Sequence, residues 1–361
     1  MMRMHERAAP PRQMKAVLLK GHGGTEQLEY REDICVPTPA AGEVLIRISA
    51  AAVNNTDINM RLGWYSKSVS STTGDSGAAR ASVWDSGWAG DALGFPRIQG
   101  ADACGYIAAV GAGVDDRRIG ERVLIDPVLR PACGRPLYFG SDTPGAFAEF
   151  AVVPAQNACA VRSTLADLEL ASFPCAYLAA ENMLTRARVT SGERVLVTGA
   201  SGGVGSAAVQ LASRRNTTVI ALAERSKAAA IHELGATRVL PRDADPLSAL
   251  GRESLDVVID VVGGAAFALL LETLVRTGRY AVAGAIGGPL VSLDLRTLYL
   301  KDLCLLGCTI PAPEVFPALV GYIERGELRP VIAATYPLRE IVAAQTEFMR
   351  KSHVGKIVLT I

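Results

Sequence analysis

The pattern of hydrophobic and polar positions changes near residue 166. Before that point, short apolar runs and partial alternation are typical of strands. Strands are predicted at residues 14–19, 43–53, 97–110 and 122–125. Residues 55–62 are predicted to form a short helix that ends at Gly63. The first part of the chain is therefore β-rich.

After residue 166, apolar strands alternate with helical stretches, which predicts a doubly wound parallel sheet. Runs such as VLV, VVIDVV and YAVAG are apolar at successive positions, as expected for parallel strands buried on both faces. The predicted strands cover residues 194–198, 218–222, 238–240, 256–261, 280–283 and 304–308, and the main helices cover 204–214, 226–234 and 265–277.

The last fifty residues return to mixed elements. We predict a helix at 313–325, a strand around Val331, a helix at 338–351 and a closing strand at 356–361. This return suggests that the end of the chain folds back onto the first domain. The predicted organisation is a first domain at 14–165, a nucleotide-type domain at 166–309 and a returning segment at 310–361.

A segment rich in Ser, Gly, Thr and Ala interrupts the first domain at about residues 65–95 and carries Trp84 and Trp88. One interpretation is a solvated excursion from the fold. The other is a lid or a subunit contact that the two tryptophans anchor.

Composition excludes several classes of protein. The chain has 361 residues, 49% of them hydrophobic, and 37 Lys and Arg balance 36 Asp and Glu. This is the composition of a folded protein, and its charge argues against a surface for nucleic acid or anionic membrane. The longest uncharged stretch, 195–213, is too rich in Gly and Ser for a membrane span, and the first ten residues resemble a ragged tail rather than a secretory signal. The seven scattered cysteines suggest reduced thiols and a cytoplasmic location.

The strongest local motif is VLVTGASGGVGSAAVQLA at 195–212. An apolar strand leads into a glycine-rich turn that opens a helix made of small residues. Such glycines permit the tight turn, the approach of backbone to a pyrophosphate, and close packing of helix on strand. The helix N-terminus then favours the phosphates. We therefore predict a dinucleotide site at Ala200, Ser201, Gly202, Gly203, Val204 and Gly205.

The choice of dinucleotide depends on the end of the second strand, which is predicted at Leu222 without a carboxylate. Arg225 and Lys227 follow, with Arg242 after the next strand as a possible third cation, and cations favour the 2′-phosphate of NADPH. Two alternatives stay open. The cations could be solvated residues of the next helix, and Glu224 could bind the ribose of NADH.

The order of motifs along the chain resembles the medium-chain dehydrogenase/reductase superfamily. The matching segments are VNNTDINMRLGWY (53–65), PRIQGADACGYIAAVGAGV (96–114), IGERV (119–123), ASGGVG (200–205) and FMRKSHVGKIVL (348–359). The resemblance implies a GroES-like β-barrel catalytic domain, formed by both ends of the chain, and a Rossmann domain. It places the active site in the cleft between them.

The resemblance also raises the question of a metal. Zinc-dependent relatives carry Cys at the position of Asn54 and His at that of Ala101, and this chain has neither ligand. Cys175 lies near the place of a third ligand but cannot hold zinc alone. Only Cys133 occurs where a structural zinc lobe would need four cysteines. We expect no zinc.

Asn54, Asp57 and Arg61 instead resemble the zinc-independent quinone oxidoreductase branch. Hydride transfer without a Lewis acid needs hydrogen-bond donors for the charge that develops on oxygen, and an enone or quinone spreads that charge. The candidate catalytic residues are Asn54, Thr56 and Tyr65, each with a structural alternative.

Five other residues have predicted roles or positions outside the catalytic set. Asp57 is expected to partner Arg61 or a backbone group, and Cys175 to be an inert apolar residue. The resemblance places Val262 near the ribose of the cofactor, and Gly284 and Cys308 near the nicotinamide.

The sequence therefore predicts a zinc-free, NADPH-dependent oxidoreductase that reduces a small activated double bond or quinone. An alcohol or ketone reductase of the same fold is one alternative, and a non-catalytic NADPH-binding sensor or assembly protein is another. Small-molecule substrates are expected as partners, with no nucleic acid or membrane. The resemblance and an apolar strand near Cys304 suggest a homodimer.

Overall fold

The computed structural model of the chain describes residues 10–74, 86–88 and 90–361. The predicted N-terminal tail up to residue 9, and Trp84 of the inserted segment, lie outside these ranges. The elements of the first part are strands β1 to β10 and helices α1 to α3. In chain order they are β1 (Gln13–Leu19), β2 (Leu28–Cys35), β3 (Glu43–Ala52), α1 (Asn55–Leu62), β4 (Arg97–Ile98), β5 (Asp102–Val110), β6 (Arg122–Ile125), β7 (Val128–Leu129), β8 (Leu137–Tyr138), β9 (Phe150–Pro154), β10 (Ala158–Ala160), α2 (Asp167–Leu170) and α3 (Pro174–Arg186).

The second part alternates strands and helices as the sequence predicts. Its elements are β11 (Arg194–Val197), α4 (Gly203–Arg214), β12 (Thr218–Ala223), α5 (Ala228–Glu233), β13 (Arg238–Pro241), α6 (Pro246–Leu250), β14 (Leu255–Asp260), α7 (Phe267–Thr273), β15 (Leu274–Val282), α8 (Leu295–Leu300) and β16 (Cys304–Gly307). The strands form one parallel sheet in the order β13-β12-β11-β14-β15-β16. This is the doubly wound order of a Rossmann domain.

The end of the chain consists of α9 (Val315–Glu324), β17 (Ile332–Pro337), α10 (Ile341–Arg350) and β18 (Lys356–Thr360). β18 pairs with β3, and β17 pairs with β18, so both strands extend the sheet β10-β6-β5-β3-β18-β17 of the first part. α9 instead packs against α3 beside the parallel sheet. The return to the first domain therefore begins after α9.

Three separate apolar cores support this arrangement. One fills the barrel of the first part around Ile46, Ile107 and Phe147. The other two lie on the two faces of the parallel sheet. Burial on both faces explains why the central strands read as continuous apolar runs. In the described part of the chain, no helix combines the length and the apolar character that a membrane crossing needs.

Several predicted boundaries differ from the structure, and three of these differences bear on the description that follows. The helix predicted at 265–277 ends at Thr273, because Leu274 is buried and pairs with Leu255, and because Thr277 has a φ of +62° that a helix cannot continue through. The strand predicted at 97–110 is divided at Gly100, which has a φ of +102°. β12 extends one residue further than predicted, to Ala223.

Candidate active site

A cleft of about 660 Å³ lies between the barrel and the parallel sheet. The predicted catalytic residues Asn54, Thr56 and Tyr65 all line it. So do most of the predicted cofactor residues, namely Ser201, Gly202, Gly203, Val204, Gly205, Lys227, Arg242, Val262, Gly284 and Cys308. Two predicted cofactor residues do not line it. Ala200 is buried beneath the turn, and Arg225 is exposed outside the cleft.

The glycine turn is shaped by close backbone contacts. Gly199 has a φ of +56°, which suits the sharp exit from β11. A Cβ on Gly205 would lie 2.1 Å from the Gly199 carbonyl oxygen, so only glycine allows α4 to pack this close to the strand. A Cβ on Gly202 would have its nearest neighbour at 3.5 Å, so the protein alone does not demand glycine there. No side chain caps the N-terminus of α4, and its first turn lines the cleft. That terminus can receive phosphate.

A buried carboxylate holds the loop after β14. Asp260 Oδ1 accepts hydrogen bonds from Thr198 Oγ1 at 2.5 Å, from the Val262 amide at 2.8 Å and from the Gly263 amide at 3.1 Å. The Tyr280 hydroxyl donates to Asp260 Oδ2. These bonds fix Val262 at the rim of the cleft, a role for Asp260 that the sequence analysis missed.

At the end of β12, an acidic and a basic residue form a pair. Because the strand continues to Ala223, Glu224 follows it directly, and its Oε2 lies 3.5 Å from Lys227 Nζ. Lys227 is buried, and Nζ also donates to the Lys351 carbonyl at 2.6 Å. Lys227, Arg242 and Glu224 all line the cleft, so it carries two cations as well as the carboxylate.

The centre of the cleft contains a buried polar group built on Asn54. Its Oδ1 accepts from Lys356 Nζ, and its Nδ2 donates to Asp102 Oδ2 at 2.8 Å and to the Ala52 carbonyl at 3.3 Å. Lys356 Nζ lies 2.7 Å from Asp102 Oδ2 and donates to the Val53 carbonyl at 3.1 Å. Both amide hydrogens of Asn54 are directed at protein acceptors. A hydrogen bond from Asn54 to substrate would require one of them to break.

Asp102 and Lys356 link the barrel to the start of α3 and to the glycine turn. Asp102 is fully buried, and its Oδ1 accepts from the Cys175 amide at the start of α3 at 2.6 Å. The aliphatic stem of Lys356 lies against the glycine turn, where a Cβ on Gly203 would meet its Cδ at 2.8 Å. The Gly355 amide donates to the Ser201 carbonyl at 2.9 Å. A carboxylate within an apolar strand was the signal that could have identified Asp102, because a buried charge needs a partner.

Asp57 and Arg61 do not pair with each other. Asp57 accepts from the backbone amides of Asn54 at 2.8 Å and Gly100 at 3.3 Å, which is the backbone alternative predicted above. Burial raises the pKa of Asp57 to about 7. Arg61 donates instead to Gln345 Oε1 and the Gly23 carbonyl.

The hydroxyl groups of Tyr65 and Thr56 lie together in the cleft. The side chain of Tyr65 bonds with those of Thr56 and Asn59, and burial raises the pKa of Tyr65 to about 12. Tyr65 therefore keeps its proton at neutral pH. Burial also raises the pKa of Cys175 to about 12, so this thiol, 3.1 Å from the Tyr138 hydroxyl, is not a thiolate nucleophile at neutral pH.

The tail of the catalytic domain adds further cations. Lys351 Nζ donates to Asn55 Oδ1 at 3.1 Å and lies 3.6 Å from the centre of the Phe348 ring. Burial and, to a lesser extent, the positive charge of Lys356 together lower the pKa of Lys351 to about 7. His353 and Lys356 line the cleft beside it. The sequence analysis did not place these residues at the cofactor turn.

The donor set at the centre of the cleft does not fit zinc. Across residues 10–74, 86–88 and 90–361, no three His, Cys, Asp or Glu side chains form a group that could hold a metal ion. Ala101 offers only a methyl group, Cys175 supplies a single thiol, and the Lys356 ammonium already pairs with Asp102. The Lys356 ammonium thus lies beside Asn54, at a position where a metal ion would need anionic or neutral ligands.

Comparisons with known proteins cover both domains. Residues 40–163 match the alcohol dehydrogenase GroES-like domain, and residues 203–325 match the zinc-binding dehydrogenase family. The chain is 30% identical to acryloyl-coenzyme A reductase of Metallosphaera sedula, covering 96% of this chain and 100% of the relative. It is 28% identical to quinone oxidoreductase of Rattus norvegicus, covering 96% and 97%.

Solved structures agree with this fold. A crystal structure from Sinorhizobium meliloti, described as a candidate alcohol dehydrogenase, has a TM-score of 0.88 and 47% identity over 97% of each chain. A thermostable alcohol dehydrogenase from Pyrobaculum aerophilum has a TM-score of 0.81 and 32% identity over 97% of this chain and 100% of its own. A second structure of that enzyme contains cobalt and zinc.

Proposed function

The chain belongs to the medium-chain dehydrogenase/reductase superfamily, and from this premise we propose that it is a zinc-free, NADPH-dependent reductase of small activated double bonds or quinones. The observation that carries the proposal is the Asn54–Lys356–Asp102 group. It places an ammonium ion in the wall of the cleft beside Asn54, and within the described ranges no three His, Cys, Asp or Glu side chains form a metal-binding group. A reaction that needs only modest stabilisation of oxygen charge suits such a site.

The cofactor would be held by both domains. The uncapped first turn of α4, from Gly202 to Gly205, would receive the pyrophosphate, and Lys227 and Arg242 would receive the 2′-phosphate. Bound NADPH supplies the hydride. Glu224 beside Lys227 is the feature that favours NADH, since a carboxylate can accept from a ribose hydroxyl and repels a phosphate.

The protein's own part in the reaction is to bind, orient and supply hydrogen bonds. Thr56 and Tyr65 carry hydroxyl groups in the cleft, and burial raises the pKa of Tyr65 to about 12, so Tyr65 keeps its proton at neutral pH. Either hydroxyl can donate to a substrate oxygen as negative charge develops there. Lys356 and Asp102 hold Asn54 and the start of α3 in place around this region.

The test is reduction of enones, quinones and simple ketones by the purified protein with NADPH deuterated at the transferred position. We expect deuterium at the β-carbon of an enone, unchanged turnover with a chelator, and no stoichiometric zinc by elemental analysis. Deuterium only at carbonyl carbon would favour the ketone reductase. Tight NADPH binding without any turnover would favour the sensor or assembly protein, and zinc-dependent turnover would overturn the proposal.

The preference for NADPH over NADH is tested by three alanine variants, one of which is a control. Lys227→Ala and Arg242→Ala should each weaken NADPH binding about tenfold, because each removes a charged hydrogen bond, and should leave NADH binding within about twofold. Arg225→Ala is the control, since Arg225 lies outside the cleft. Equal losses for both nucleotides would refute a 2′-phosphate role.

We also propose a homodimer formed through the edge of the parallel sheet. β16 is the terminal strand of that sheet, and an apolar patch lies around it. The patch consists of Leu290, Val291, Leu295, Tyr299, Leu300 and Leu305. Leu290 is 76% exposed and Leu295 65%, and several exposed apolar side chains grouped together are typical of an interaction surface. Light scattering should give twice the mass of the chain, and Leu305→Glu should give the monomer.

All seven cysteines are free, and this supports the proposed cytoplasmic location.

A further inference from the structure

The end of the inserted segment is attached to the catalytic domain through buried contacts. Ser86 is fully buried, and its hydroxyl lies 2.7 Å from His22 Nε2. His22 Nδ1 lies 2.9 Å from the Met60 carbonyl of α1, and its ring packs edge-on against Phe95 with centroids 4.9 Å apart. If Nδ1 donates to the carbonyl, Nε2 accepts from Ser86, and both bonds are satisfied at once. This part of the insert is therefore a built element of the fold.

The same attachment places an aromatic side chain in the cleft. The Trp88 indole stacks on the Tyr138 ring, with centroids 4.5 Å apart and planes inclined by 28°, and both residues line the cleft. The Tyr138 hydroxyl is held 3.1 Å from Cys175 Sγ. Burial raises the pKa of both Tyr138 and Tyr65, with a smaller contribution from Cys175, and all three side chains line the same cleft. The aromatic pair thus adjoins the candidate hydroxyl donor.

We propose that Trp88 is a specificity-determining residue, and that with Tyr138 it forms an aromatic wall that selects substrates with a flat conjugated ring attached to the reducible double bond. The inference rests on the proposed function and narrows its substrate class. A planar ring gains both apolar burial and favourable ring contacts against such a wall. A short aliphatic substituent has too little surface to gain from it.

The test compares two enones that share one reactive core, benzylideneacetone with a phenyl substituent and ethylideneacetone with a methyl. In Trp88→Ala we expect KM for benzylideneacetone to rise about tenfold, with kcat within about twofold. KM for ethylideneacetone should stay within about twofold. Trp88→Phe keeps a ring and should lie between wild type and Trp88→Ala for the phenyl substrate.

Parallel losses on both substrates, or equal losses in Trp88→Phe and Trp88→Ala, would show that Trp88 only supports the fold and would overturn the inference. Thermal unfolding and NADPH affinity of each variant detect such general damage.

A binding measurement separates this inference from the proposed function. Calorimetry with benzylacetone, the saturated product, in the presence of NADP⁺ needs no turnover. If wild type reduces neither enone yet binds benzylacetone more tightly than Trp88→Ala does, the proposed function fails and the aromatic wall stands. If the two proteins bind benzylacetone equally, the wall is refuted whatever the activity.

Discussion

Replacing Lys356 with methionine removes the cation at the centre of the cleft while keeping much of its aliphatic stem. Lys356 and Asp102 are 3% and 0% exposed at their side chains. Removing one partner of a buried ion pair costs roughly 3–5 kcal/mol, because the other charge stays buried. Asp102 keeps hydrogen bonds from Asn54 Nδ2 and the Cys175 amide, so we expect the lower end, about 3 kcal/mol.

Calorimetry or dye-monitored melting should show this loss as a fall in Tm. A free energy of 1 kcal/mol shifts Tm by roughly 2–4 °C in domains of 150–250 residues, so the expected fall is about 6–12 °C.

Two further variants show whether charge is the cause. Lys356→Met combined with Asp102→Asn removes both charges, and should recover at least half of the lost stability. Lys20→Met is the exposed control, since Lys20 is 47% exposed beside Glu29, and should change the free energy of unfolding by less than about 1 kcal/mol. A double variant as unstable as Lys356→Met alone would refute the electrostatic reasoning and assign the loss to packing.

Two other predictions concern the cofactor turn and the tail beside it. Gly205→Ala should lower Tm and abolish nucleotide binding, because its Cβ would lie 2.1 Å from the Gly199 oxygen, whereas Gly202→Ala should fold normally and weaken only nucleotide binding. Equal Tm values for the two variants would contradict this. Lys351→Met should be more stable than wild type at pH 6–7. Burial holds the pKa of Lys351 at about 7 in the folded protein, whereas the unfolded chain binds the proton up to about pH 10, so protons favour the unfolded state of wild type. In denaturation experiments, the difference in the free energy of unfolding between the variant and wild type should shrink as pH rises from 7 toward 10. A constant difference would show that Lys351 does not titrate between these pH values.

The sequence alone determined those features of the fold that depend on local patterns of residues. The parallel sheet follows from apolar runs buried on both faces, and the glycine turn follows from a strand, a run of glycines and a helix in immediate succession. The end of α1 at Gly63 follows in the same way, since Gly63 adopts a φ of +68°. The glycine turn and the helix end depend on residues within one or two turns of each other, and each apolar run lies within a single strand.

The tertiary structure decided what distant segments do to one another. Lys356 meets Asn54 and Asp102 only because β18 pairs with β3, some three hundred residues away in the chain. Lys227 points into the cleft while Arg225 two residues earlier does not, and the sequence predicted the same role for both. Trp88 stacks on Tyr138, and Ser86, two residues before Trp88, is bonded to His22 in a distant part of the chain. Local patterns report secondary structure, whereas the partner of a buried charge or ring depends on how the strands pair and how the domains pack.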